Sequence, residues 1–78
     1  MHEDEIRKIR SRLRRLAGQV KALEAMVGSD EETIKVVTQM KAAIAASKGC
    51  LNEYGQHALV RATDDKERQA LLKLLLIN

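Results

Sequence analysis

Proline, phenylalanine and tryptophan are absent from this 78-residue chain, and Tyr54 is its only aromatic residue. A core without Phe or Trp has to be built from aliphatic side chains, which suits close helix packing better than a small β-sandwich. Four glycines are too few to separate several strands, and no proline interrupts the chain. These absences predict an all-α protein.

Cysteine is equally scarce, because Cys50 is the only one. A single cysteine excludes an internal disulfide and fits a reducing compartment. Residues 1–5, Met-His-Glu-Asp-Glu, are acidic and polar and lack the hydrophobic core of a signal peptide. No later apolar run approaches the length of a membrane span. We therefore expect a cytoplasmic protein that does not enter the membrane.

Basic residues are concentrated in residues 6–21, which carry seven of the 14 lysines and arginines and no acid. Apolar residues in and after this stretch alternate three and four positions apart, which predicts a helix with one narrow apolar stripe. The stripe consists of Ile6, Ile9, Leu13, Leu16, Val20, Leu23 and Val27. At about 100° per residue, the cations form two rows beside it. One row is Arg7, Arg10, Arg14 and Lys21, and the other is Lys8, Arg12 and Arg15.

The rest of the chain predicts two further helices in one domain, residues 1–78. The first helix is predicted to end near Gly28, and Ser29 with Glu32 has the spacing of a capping box for a second helix over residues 30–62. So short a turn implies an antiparallel hairpin. Asp64 and Glu67 have the same spacing before a short third helix.

The second and third helices carry more apolar surface than one subunit can cover. Gly49 and Gly55 each cost the second helix roughly 1 kcal/mol relative to alanine, and either is a candidate bend. Residues 71–77 are apolar on almost every side of the last helix. A small chain with this surplus predicts association into at least a dimer, with the tail between subunits.

The basic helix is the strongest functional signal, and several functions fit it. A run of charge is often only a solvated face, but cations without neighbouring acids suit a phosphate backbone. The pattern alone leaves open a nucleic-acid interface, a basic coiled coil and a membrane-surface helix. The narrow stripe without aromatic residues disfavours the membrane. No catalytic constellation or glycine-rich phosphate loop points to an enzyme.

Residues 12–27, RLRRLAGQVKALEAMV, resemble the signature R-L-R-R-(I/L)-x-G-Q-(V/I)-x-(A/G)-(L/I)-x-x-M of the copper-sensing operon repressor family, whose relatives sense nickel and cobalt, formaldehyde or persulfide. Residues 36–43, VVTQMKAA, are similar to the start of the family's second helix. The resemblance covers nearly the whole chain. It implies three-helix subunits that pair as a four-helix bundle, assemble further into a tetramer, and repress genes by binding operator DNA without a helix-turn-helix.

The resemblance also implies that cations of the first helix contact double-stranded DNA. Arg12, Arg14, Arg15 and Gln19 occupy the positions of the motif. With Arg7, Arg10 and Lys21 of the same helix, the predicted DNA-binding residues are Arg7, Arg10, Arg12, Arg14, Arg15, Gln19 and Lys21. The competing hypothesis is a non-enzymatic helical adaptor whose basic face binds an acidic protein.

The sensor site of the family is not matched in this chain. The position of its signature cysteine is Thr33, its histidine falls at Ala58, and the second cysteine of the copper branch falls at Ala62. None of these side chains supplies a thiolate or an imidazole, which a cuprous site of that kind requires. We therefore expect no copper site of the family type.

Cys50, His57 and His2 are the remaining candidate metal ligands. Cys50 and His57 lie two helical turns apart, about 10 Å along the axis, and cannot share one ion without a third ligand from another chain. The simpler interpretation makes Cys50 a small buried residue, His57 a surface or interface residue and His2 part of the tail. The alternative is a zinc or nickel site relocated to a subunit interface.

Overall fold

Three α-helices form the fold of residues 1–76, the part of the chain that the computed structural model describes. Helix α1 spans Glu3–Gly28, α2 spans Thr33–Arg61 and α3 spans Asp65–Leu76. Helices α1 and α2 pack as an antiparallel hairpin, while α3 packs on α2 and, within these residues, not on α1. The predicted all-α, three-helix subunit is confirmed. Ile77, at the end of the predicted apolar tail, lies outside the described residues.

The turn between α1 and α2 differs from the prediction. Gly28 is the last residue of α1, and the left-handed backbone conformation falls instead on Asp30, with φ of 58°. The Ser29 hydroxyl donates to a carbonyl at the end of α1 at 3.3 Å and does not cap α2, which begins only at Thr33. The predicted capping box of Ser29 and Glu32 is therefore wrong, because the chain needs these residues to reverse direction.

The start of α3 agrees with the prediction at Asp64. Its Oδ1 atom accepts a hydrogen bond from the backbone N–H of Lys66 at 3.0 Å, the contact expected of an N-cap residue. The Arg68 guanidinium then donates through Nη2 to the carbonyl oxygen of Ala62 at 2.7 Å. This second bond fixes the first turn of α3 to the end of α2.

The apolar stripe of α1 separates into two heptad rows with different surroundings. In the first row, Ile9 is buried and Leu16 and Leu23 are half-buried. They lie towards α2, whose own heptad row includes the buried Ala43 and Cys50. The second row of α1 is exposed and consists of Ile6, Leu13, Val20 and Val27. One row therefore holds the hairpin together, and the other remains uncovered.

The exposed row of α1 continues onto α2 as an apolar face. Its α2 residues include Val37, Met40, Ile44, Leu51 and Tyr54, each between 43% and 57% exposed. A shallow groove lined by Leu13, Leu51 and Tyr54, among others, runs along the hairpin. We call this surface, from Ile6 to Val27 on α1 and from Val37 to Tyr54 on α2, the apolar face.

The subunit is a single layer of helices. Its principal dimensions are 49 × 28 × 14 Å, and its accessible surface is 6510 Å². A compact protein of 8.7 kDa is expected to expose about 4700 Å². The excess of about 1800 Å² is the physical form of the surplus apolar surface predicted from the sequence. Among the described helices, none is long and apolar enough to cross a membrane.

Gly55 is a position of close approach between α2 and α3. A Cβ atom placed on Gly55 would lie 2.5 Å from Cδ2 and 3.0 Å from Cδ1 of Leu75. Helix α2 runs through both Gly49 and Gly55 without a break. The glycine therefore makes room for the leucine of α3, and no glycine interrupts the helix.

The surroundings of Gly49 and Gly55 predict different effects on stability when each is replaced by alanine. Gly49 has no atom within 4 Å of an added Cβ, so Gly49→Ala is expected to stabilise the protein by up to about 1 kcal/mol through helix propensity. Gly55→Ala gains the same propensity but forces Leu75 to move, so its net gain should be smaller or negative. Thermal unfolding followed by circular dichroism compares the two variants. Equal increases in Tm would contradict this account of the α2–α3 contact.

Candidate nucleic-acid interface

The groove between α1 and α2 on the side away from the apolar face is basic. Arg12, Arg15 and Gln19 of α1 line one edge, and Ala46 and Gly49 of α2 line the other. The open volume is about 390 Å³. The α2 edge carries only a methyl group and a hydrogen there, so no bulky side chain of α2 lines the groove. We call this surface the basic groove.

The second row of cations lies on the opposite shoulder of α1. Arg7, Arg10 and Arg14 surround a smaller depression together with Glu3 and Ile6. This row borders the apolar face, whereas the basic groove lies beyond the buried row. The residues predicted to bind DNA are thus placed on two surfaces of one helix, and the structure does not bring them into a single patch.

Most of the predicted residues are available to solvent. All six predicted cations are exposed in the subunit, and Gln19 is half-buried. The Arg7 guanidinium lies 3.7 Å from the carboxylate of Asp4, but both side chains are strongly exposed. Such a surface pair contributes little and leaves the cation free to exchange partners. Lys21 lies further along α1 than the residues that line either depression.

Arg12 differs from the other predicted cations, because its acidic partner belongs to α2. Its Nη1 atom lies 2.7 Å from Oε2 of Glu53. The expectation that the cations of this helix are unpaired is therefore wrong for Arg12. The sequence within α1 gave no signal of this contact, since the acid is supplied by another helix. Only the relative register of α1 and α2 places the two side chains together.

The residues at the family's sensor positions offer no metal ligands in the subunit. Thr33 is the first residue of α2, and its hydroxyl is a poor ligand for a soft cuprous ion. Ala58 and Ala62 are both buried. Across residues 1–76, no group of three or more His, Cys, Asp and Glu side chains is arranged to hold a metal ion. The residues present do not fit a metal site of the family type.

The other candidate ligands are dispersed. Cys50 is buried between α1 and α2 beside the groove of the apolar face. His57 is half-buried, and its Nδ1 atom lies 3.4 Å from Oε2 of Glu5. The same Glu5 oxygen accepts a hydrogen bond from the backbone N–H of His2 at 3.2 Å. The acidic start of α1 thus contacts the end of α2, a pairing that the sequence did not indicate.

The described residues form a three-helix subunit whose first helix is rich in cations. Residues 5–76 match the family described as metal-sensitive transcriptional repressor, and the chain belongs to this family. The family resemblance found in the sequence and the expectation of a non-enzymatic protein are both confirmed. Comparisons with curated proteins and with solved structures gave no significant match.

Proposed function

We propose that the protein represses transcription by binding double-stranded operator DNA through α1. The basic groove carries this proposal, because Arg12 and Arg15 stand on a rigid helix and line an open groove whose α2 edge is formed by Ala46 and Gly49. Arginines in this setting pair with phosphates and release condensed counterions. The Gln19 amide beside them can bond to a phosphate or a base edge. The proposed contacts are Arg7, Arg10, Arg12, Arg14, Arg15, Gln19 and Lys21.

We propose that the binding unit is a pair of subunits joined through the apolar face. The single layer exposes about 1800 Å² more than a compact protein of its size, and the apolar face is continuous across both long helices. Two hairpins stacked face to face make a four-helix bundle, which covers this face and leaves both basic grooves outside. The exposed leucines of α3, Leu72 and Leu74, support further pairing into a tetramer.

The proposed repressor uses no copper site of the family type. Thr33, Ala58 and Ala62 provide no soft ligand, and no alternative cluster forms within residues 1–76. A zinc or nickel site would need ligands from two subunits, and the solvent-accessible His2 and His57 are its candidates. We place the protein, as one domain over residues 1–78, in the cytoplasm, where a repressor meets its operator.

The salt dependence of DNA binding tests the repressor function. Each phosphate neutralised contributes about 0.9 to the slope of log affinity against log salt. Arg15 of two subunits alone should give a slope of about −1.8 or steeper on duplex DNA. Fluorescence anisotropy titrations at salt concentrations from about 50 to about 300 mM measure this slope. Tighter binding to polyglutamate than to duplex DNA would favour the acidic-protein adaptor instead.

A further inference from the structure

Arg12, at the edge of the basic groove, contacts an anion on α2. The Glu53 side chain is 20% exposed and the Arg12 side chain is 44% exposed, so the glutamate is the more buried member of the pair. One side of the Arg12 guanidinium contacts Glu53. The other side is exposed to the solvent from which DNA would approach.

The contact between these groups is ionic rather than a well-aligned hydrogen bond. Oε2 of Glu53 lies 2.7 Å from Nη1 of Arg12, yet it is inaccessible to solvent and receives no hydrogen bond of acceptable angle from any described residue. The 2.7 Å contact is therefore a close ion pair with poor hydrogen-bond alignment. A phosphate carries the same charge and can accept two parallel hydrogen bonds from a guanidinium, so it can replace the carboxylate.

We infer that Glu53 competes with a DNA phosphate for Arg12 and thereby lowers the affinity of the protein for its operator. This inference rests on the proposed DNA-binding function. Arg12 can turn fully to a phosphate only when its contact with Glu53 is broken. Glu53 thereby reduces the affinity of the strongly basic helix α1 for DNA.

Glu53→Gln tests the competition, because it removes the charge and keeps the size of the side chain. Affinity for duplex DNA is expected to rise roughly fivefold for each subunit that contacts DNA, the equivalent of about 1 kcal/mol, the upper value for a partly exposed ion pair. The salt slope should become steeper by up to about 0.9 per subunit. Unchanged or weaker binding by a folded Glu53→Gln protein would overturn the inference.

Glu31→Gln is the matched control, since it makes the same change in net charge. Glu31 pairs with Lys35 on the surface of α2, 3.8 Å away, and contacts no cation of α1. It is expected to bind DNA like the native protein, and a gain equal to that of Glu53→Gln would show an effect of net charge alone. If Glu53→Gln does not fold, Glu53→Asp withdraws the carboxylate by one methylene, and the absence of any gain would again overturn the inference.

The double variant Arg12→Ala/Glu53→Gln separates this inference from the proposed function. If Glu53 acts through Arg12, the gain seen with Glu53→Gln disappears in the Arg12→Ala background. A gain that persists there would show that Glu53 acts on another group. If the native protein shows no salt-dependent binding to duplex DNA, the proposed function itself fails, which is a different result from DNA binding that is insensitive to Glu53.

Discussion

Replacing Leu13 by glutamate is expected to convert the assembled protein into single subunits. Leu13 is 48% exposed in the isolated subunit and lies in the groove of the apolar face. In a symmetric pair the substitution acts twice, because the same face is used by both subunits. Burying an unpaired carboxylate costs several kcal/mol even after partial relaxation, which exceeds what a small interface can absorb. Sedimentation equilibrium at micromolar concentration measures the change in mass.

Ser11→Glu is the appropriate control for this experiment. Ser11 is exposed on the same helix, about 200° around the axis from the buried Ile9 at 100° per residue. It therefore adds the same charge on the side of α1 that faces away from α2. The native mass should persist in Ser11→Glu and be lost in Leu13→Glu. If Leu13→Glu retains the native mass, the apolar face is not the interface.

The second large effect is expected from Arg15→Ala, which should weaken binding to duplex DNA by about 100-fold. Two subunits each lose one charge-assisted phosphate contact of roughly 1.5 kcal/mol, and about 1.4 kcal/mol corresponds to a factor of ten. The salt slope should fall by about 1.8, or 0.9 for each lost phosphate. Arg15 has no ion pair among the described residues that could mask this loss. Anisotropy titrations at several salt concentrations measure both quantities.

Two variants show whether the effect belongs to the basic groove. Arg15→Lys keeps the charge but not the two-pronged geometry, so the slope should be retained with a smaller loss of affinity. Arg14→Ala removes the neighbouring cation, which belongs to the row beside the apolar face. We expect its effect to be smaller than that of Arg15→Ala. If Arg14→Ala has the larger effect, DNA lies on the other shoulder of α1.

The helices themselves could be predicted from the sequence because heptad spacing is a local property. The stripe on α1, from Ile6 to Val27, gave the end of the helix to within one residue and its start to within three, and Asp64 marked the start of α3. The start of α2 could not be predicted in the same way. Several polar residues between Gly28 and Thr33 are suited to capping, and the need to reverse the chain selects among them.

The periodicity of the sequence could not predict the contacts between helices. Spacing places a residue around a helix axis, but it does not fix how far one helix slides along another. The Arg12–Glu53 pair and the contact of Leu75 with Gly55 both depend on that sliding. Gly55 therefore looked like a possible bend, and Arg12 looked unpaired. The candidate site was predicted as a set of cations, and Glu53, the acidic partner of Arg12, was missed.

The subunit is only 14 Å thick, and this thinness makes the stability of the protein depend on its concentration. One layer of helices buries too little apolar surface to offset the conformational entropy of an ordered chain. In the proposed assembly, folding and pairing are then a single reaction whose extent depends on protomer concentration. A newly made chain without a partner remains open to proteolysis. The cellular amount of repressor would therefore have a threshold, below which chains are degraded faster than they meet.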